Sequence, residues 1–185
     1  MILYKDYMIV LSPSRNVKGG IKQCKNSAKE HIGNYPGLNS IAHISLWDKQ
    51  CVSPELIQAF ISILQRKISK IPPVNLTVDG FDFFVHGADT MTIYTSLQSN
   101  PIVDDWFKIV RKQLNLNSNR FVPHITVTKN IPVDLFYTLW PMFSSMPFKI
   151  NFVPESISVL ERDPLIPFAK WHTCKEIYFK NTHQF

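Results

Sequence analysis

From residue 6 to residue 11 the chain reads DYMIVL, a run of apolar and β-branched side chains that predicts a buried strand. Ser12 to Gly20 (SPSRNVKGG) has the composition of a turn-rich, basic loop. Apolar positions then recur at three- and four-residue steps (Ile21, Cys24, Ala28, Ile32), which predicts an amphipathic helix over 21–32, broken by NYPGLN at 34–39. A strand over 41–47 follows. Ser53-Pro54-Glu55 opens a second helix, with serine as N-cap and proline in the first turn. Leu56, Phe60, Ile63, Leu64 and Ile68 give that helix one apolar face, and Pro72-Pro73 ends it.

The second half reads in the same terms. Strands are expected over 74–85 and 91–97, joined by a turn at His86-Gly87-Ala88-Asp89. A helix over 101–114 carries Val103, Phe107, Val110 and Leu114, and a polar loop spans 115–120. A strand over 121–127 precedes a helix opened by Asn130-Ile131-Pro132 and ending near Phe143, with further strands at 147–152, 156–162 and 172–179. The order strand, helix, strand, helix thus occurs twice. Such a duplication predicts two similar lobes that place equivalent strands face to face.

Each half has a histidine on its second strand: His43-Ile44-Ser45-Leu46-Trp47 and His124-Ile125-Thr126-Val127-Thr128, offset by 124 − 43 = 81 residues. Strand side chains alternate between faces. His43, Ser45 and Trp47 are therefore expected on one face and Ile44 and Leu46 on the other; His124, Thr126 and Thr128 oppose Ile125 and Val127 in the same way. Two such strands facing each other would line a cleft with two imidazoles and two hydroxyls. Phosphodiester cleavage needs this equipment: one neutral imidazole to take a proton from water, one imidazolium to protonate the leaving oxygen, and hydroxyls to hold the phosphate oxygens.

Composition narrows the setting. The 185 residues are 45% apolar, enough for a packed core, and suit one domain or two small lobes sharing a core. No apolar run reaches the ~18 residues of a membrane span. Lys5 and Asp6 interrupt the apolar N-terminus, which reads as a strand rather than a signal peptide. Three scattered cysteines, Cys24, Cys51 and Cys174, form neither a disulfide framework nor a zinc knuckle, and a reducing cytoplasm fits them. Lys plus Arg exceed Asp plus Glu by 20 to 14, a net charge of +6 that favours an anionic partner such as phosphate or nucleic acid.

The paired motifs resemble those of the two-histidine phosphoesterases, which include the 2′,3′-cyclic phosphodiesterases also called 2′-5′ RNA ligases. The family mark is an H-x-[S/T]-x motif in each lobe, standing here as His43-Ile44-Ser45-Leu46 and His124-Ile125-Thr126-Val127, with Phe121 to Val127 similar to the family's stretch around its second motif. The resemblance implies one bilobal domain over 1–185. Its α+β fold would be a pseudo-two-fold duplication, with two mainly antiparallel sheets facing a central cleft and helices outside. It implies a metal-independent hydrolase without cofactor that opens 2′,3′-cyclic phosphates on RNA ends or nucleotides to 2′-phosphates. His124 would activate water and His43 would protonate the leaving oxygen, although the near-symmetry allows the reverse. Family members carry a basic residue soon after the second motif; Lys129 stands near that place, on the opposite strand face by alternation.

Ser45 and Thr126 are expected to hold substrate, together with Arg120 just before the second motif and Trp47, which stacks on a base or caps the sheet. Phe81 and Phe83 read as core in preference to base-stacking, Arg15, Lys18, Gly19 and Gly20 as a solvated loop in preference to a basic lid over phosphates, and His31, His86, His172 and His183 as lacking a partner motif. A zinc site is disfavoured because no carboxylate or cysteine stands at ligand spacing. The expected protein is a cytoplasmic monomer that binds no membrane. The rival class is a non-catalytic RNA- or nucleotide-binding module using the same cleft.

Overall fold

The computed structural model describes residues 4–116, 121–167 and 169–180. Within them, eight strands and four helices run in the order β1 (Lys5–Leu11), α1 (Arg15–Ile32), β2 (Ile44–Val52), α2 (Pro54–Ile68), β3 (Leu76–His86), β4 (Thr90–Leu97), α3 (Pro101–Gln113), β5 (His124–Pro132), α4 (Val133–Ser145), β6 (Lys149–Phe152), β7 (Ser156–Arg162) and β8 (His172–Tyr178). They form a bilobal α+β fold with two four-stranded antiparallel sheets, ordered β2-β1-β7-β8 and β5-β4-β3-β6. The two orders match strand for strand, with each motif strand at the edge of its sheet.

The halves of the chain are interlocked. β3 belongs to the first half by sequence but pairs in the second sheet, and β7 returns to the first. Helix α1 packs against α4, β5 and β6, while α3 packs against α2. The duplication extends into these helices. Ser14 caps α1 by accepting from the Val17 amide, and Asn100 caps α3 by accepting from the Val103 amide. At that offset, 100 − 14 = 86, buried Val17, Ile21 and Cys24 align with buried Val103, Phe107 and Val110, and Lys25 aligns with Arg111.

One expectation fails at the start of α1. The segment 15–20, read as loop, is its first turns. Gly19 and Gly20 gave the loop signal, but Gly20 serves packing: a Cβ there would stand 2.9 Å from the Phe148 ring, so glycine lets the helix lie close to β6. Gly19 has open space around it.

The motif strands depart from strict alternation at equivalent places. In β2, Val10 pairs with Ser45 but Ile9 with Trp47, so Leu46 is an extra residue. In β5, Tyr94 pairs with Thr126 but Ile93 with Thr128, so Val127 is extra. Each bulge shifts the strand's phase by one residue. Trp47, expected beside Ser45, instead stands opposite buried Ile9 and stacks on Phe60 of α2, with centroids 5.6 Å apart. Thr128 turns into the core, where its hydroxyl accepts from the Ile93 amide at 3.2 Å. Further along each strand a left-handed residue is held by its neighbour: the Cys51 amide donates to Asp6 and the Asn130 amide to Thr92.

Gly19→Ala is expected to stabilise the protein by about 0.5–1 kcal/mol, whereas at Gly20 the contact with Phe148 offsets or reverses that gain. Trp47→Ala is expected to cost about 1–3 kcal/mol through the lost packing on Phe60. Urea denaturation of the three variants checks both.

Candidate active site

His43 directly precedes β2 and His124 opens β5. Each imidazole is fixed by its own chain. His43 Nδ1 donates to the Ile41 carbonyl at 2.7 Å, and His124 Nδ1 donates to the Val122 carbonyl at 2.8 Å. A carbonyl can only accept, so Nδ1 carries the proton in both rings and Nε2, on the far side of each ring, is left for chemistry. The carbonyl two residues upstream is committed to the ring, and in both halves the regular strand starts no earlier than the motif.

The apolar alternates anchor the motifs. Ile44 and Ile125 are 1% and 0% exposed, and Leu46 and Val127 are likewise buried beneath the helices. The opposite faces are the less buried ones: Ser45 is exposed, and His43, His124 and Thr126 are part-exposed. Ser45 shares its face with Val10 and Ser158, and its hydroxyl approaches Met8 Sδ at 3.9 Å. Thr126 shares its face with Tyr94, and His124 with Ser96. The edge strands β2 and β5 are in contact, and His124 is among the charges that act on His43.

Both imidazoles hold their protons less tightly than a free histidine. For His43 the main cause is burial; the Ile41 carbonyl opposes it, while the charges of Lys25, His124 and Lys129 reinforce it. For His124 the cause is burial, opposed by the Val122 carbonyl. The two rings differ in their walls. His124 stands edge-on to Phe84 at 4.9 Å and tilted to Tyr94 at 5.1 Å, and Phe84 stacks on Tyr94 at 4.2 Å. The Tyr94 hydroxyl donates to Asp82, and burial with that carboxylate pushes its pKa up to about 12, so it stays a neutral phenol.

The structure therefore gathers His43, Ser45, His124 and Thr126 and leaves Trp47 out, on the helix side of its sheet. Arg120 and His183 lie outside the described residues. Phe81 packs on Phe143 and Phe148, and Phe83 on Phe136 and Trp140, in the core as expected. Lys129 is a correction: the bulge at Val127 restores it to the face of Thr126, consistent with its action on His43. Phe84 and Tyr94 were missed. Alternation set Phe84 apart from Phe81 and Phe83, but nothing in the sequence paired it with the second motif. Also missed was the pair Arg162–Asp6, closed at 2.9 Å with the guanidinium over Trp171.

Among the described residues, no three His, Cys, Asp or Glu side chains are gathered so as to hold a metal ion, and no helix is long and apolar enough to cross a membrane.

Comparison with curated protein sequences finds no match. Among solved structures, TT0787 of Thermus thermophilus superposes with a TM-score of 0.66 at 11% identity, covering 96% of this chain and 100% of its own. A structure described as a phosphoesterase gives 0.65 at 14% identity over 96% and 99%. Escherichia coli LigT complexed with 3′-AMP gives 0.63 at 12% identity over 96% and 99%. At such identities the likeness is one of fold. The sequence pattern of the 2′-5′ RNA ligase superfamily, however, matches residues 13–164, which take in both histidine motifs, and the chain belongs to that superfamily of two-histidine phosphoesterases.

Proposed function

We propose that the protein hydrolyses 2′,3′-cyclic phosphates to 2′-phosphates, using His43 and His124 as an acid–base pair. The observation that carries this reading is the matched pair of Nδ1–H bonds to the carbonyls of Ile41 and Val122, which gives both Nε2 atoms to the cleft. E. coli LigT, of the same fold, has been solved with 3′-AMP and with phosphate.

The cyclic phosphate lies between the two rings. Neutral His124 takes a proton from water at Nε2 as the water oxygen bonds to phosphorus. The bond from phosphorus to the 3′-oxygen breaks, and protonated His43 delivers its Nε2 proton to that oxygen. The pair ends with its protons exchanged, and solvent restores them. Burial and the charges of Lys25, His124 and Lys129 act on the His43 ring, and the near-symmetry of the two motifs allows the acid and base roles to be reversed. Ser45 and Thr126 donate hydrogen bonds to the non-bridging oxygens, Lys129 supplies positive charge, and Arg120 is a further candidate for the phosphate. Phe84 and Tyr94 form the apolar wall behind His124. No metal or cofactor enters this scheme, and the site works within one bilobal domain of a single chain.

His43→Ala and His124→Ala are each expected to lower kcat by about 10²–10⁴-fold on a 2′,3′-cyclic mononucleotide assayed with EDTA, with the unfolding midpoint little changed. Retention of full activity by either variant would sink the acid–base pair.

The pH profile follows from the two lowered pKa values. In the free protein the productive form has one ring neutral and one protonated, and its population peaks midway between the two pKa values. Both lie under the ordinary 6.5, so kcat/KM is expected to peak below pH 6.5 and to fall as pH rises through neutrality. The bound phosphate anion favours the imidazolium, so the kcat optimum should lie at higher pH. A kcat/KM optimum above pH 7 would contradict this assignment.

A further inference from the structure

The duplicated fold creates two equivalent cavities, each between a helix and the segment leading into a histidine motif. The first, about 420 Å³, lies between α1 and residues 38–42; the second, about 670 Å³, lies between α3 and residues 121–123. Their walls correspond at the 86-residue offset of the helix caps: Lys18, Ile21, Lys22 and Lys25 in one, Asp104, Phe107, Lys108 and Arg111 in the other. The helix and motif-loop walls therefore correspond, while the charges on them do not.

The first cavity is lined by Lys18, Lys22, Lys25 and Lys29 with Asn26 and Asn39, and by no carboxylate. Among the described residues, none of these lysines is in an ion pair. In the second cavity Asp104 replaces Lys18, and Lys108 is paired with Asp105 at 2.9 Å. The second cavity thus mixes Asp104 with Lys108 and Arg111, where the first carries lysines alone.

Lys25 sets the floor of the first cavity. It is only 3% exposed, and its ammonium donates to the Gly37 carbonyl, the Ser40 carbonyl and the Ser40 hydroxyl at 2.7–2.8 Å. Burial lowers its pKa to about 8, which leaves it largely charged at neutral pH. With its protons engaged it contributes field rather than contact. Lys18, Lys22 and Lys29 remain for a ligand, on a row roughly 16 Å long at 1.5 Å per residue. Ile41 and Ala42, which also line the cavity, lead directly to His43.

The geometry points to a second anion site on α1, which holds the backbone phosphates of a nucleic-acid strand whose cyclic end lies between the histidines. This rests on the hydrolytic reading for its register, and it makes the substrate an oligonucleotide rather than a mononucleotide. A repeating polyanion suits a row of cations without acidic counterparts, and binding it would displace counterions from the strand.

The test uses the triple variant Lys18→Ala/Lys22→Ala/Lys29→Ala, which spares Lys25 and the loop it holds. On an oligonucleotide ending in a 2′,3′-cyclic phosphate, KM should rise roughly 10-fold or more at low salt. The slope of log KM against log salt should shrink by about 2, from roughly 0.7 per phosphate for three contacts. Turnover of a 2′,3′-cyclic mononucleotide should be unaltered, and Lys108→Ala should match wild type on both substrates. Equal KM and salt slope for the triple variant and wild type on the oligonucleotide would overturn the proposal. If wild type hydrolysed neither substrate, the hydrolytic reading would be the one to fail. Fluorescence anisotropy with the same labelled oligonucleotide would then decide: weaker, less salt-dependent binding by the triple variant supports the α1 site, and equal binding overturns it.

Discussion

The bond from each cleft imidazole to the carbonyl two residues upstream, 2.7 Å in one lobe and 2.8 Å in the other, governs much of what surrounds it. It fixes the tautomer, aims Nε2 away from the backbone, and requires the upstream segment to be held still. In the first lobe Lys25 does this by gripping Gly37 and Ser40 from the buried side of α1. In the second, Arg111 occupies the equivalent position of α3, with its guanidinium 4.4 Å from the Phe121 ring. A buried cation is costly unless its protons are satisfied, and at Lys25 the loop's own carbonyls meet that need.

The interlocked topology serves the same end. α1 follows the first strand of one sheet yet packs beneath the other, and β3 and β7 are exchanged between sheets. The second sheet is built from the consecutive strands β3 to β6, whereas the first joins β1 and β2 to β7 and β8 from the far end of the chain. The relative placement of His43 and His124 is then set by shared core packing, on which a proton relay across a phosphate depends.

Near-symmetry of backbone coexists with asymmetry of environment. His43 lies in the field of Lys25 and Lys129, whereas His124 is walled by Phe84 and Tyr94. Burial lowers both pKa values, but the added cations act on His43 alone. Two groups of the same chemistry thereby sit in different electrostatic surroundings.

The sequence by itself determined the element order, the duplication, and the motif faces as far as the hydroxyls, because period-2 and period-3.6 patterns register which side of an element meets the core. Ile44, Leu46, Ile125 and Val127 were legible as buried for that reason. Only the tertiary structure decided the sides of Trp47, Thr128 and Lys129, since a bulge inserts one residue without any change in composition and inverts the faces beyond it. It also decided that the glycines at 19 and 20 belong to a helix, where close approach of Phe148 explains Gly20. The aromatic wall of Phe84 and Tyr94, the grip of Lys25 and the charge difference between the two cavities all depend on side chains distant in sequence. Their meeting is fixed by strand register and helix exchange, which local pattern does not encode.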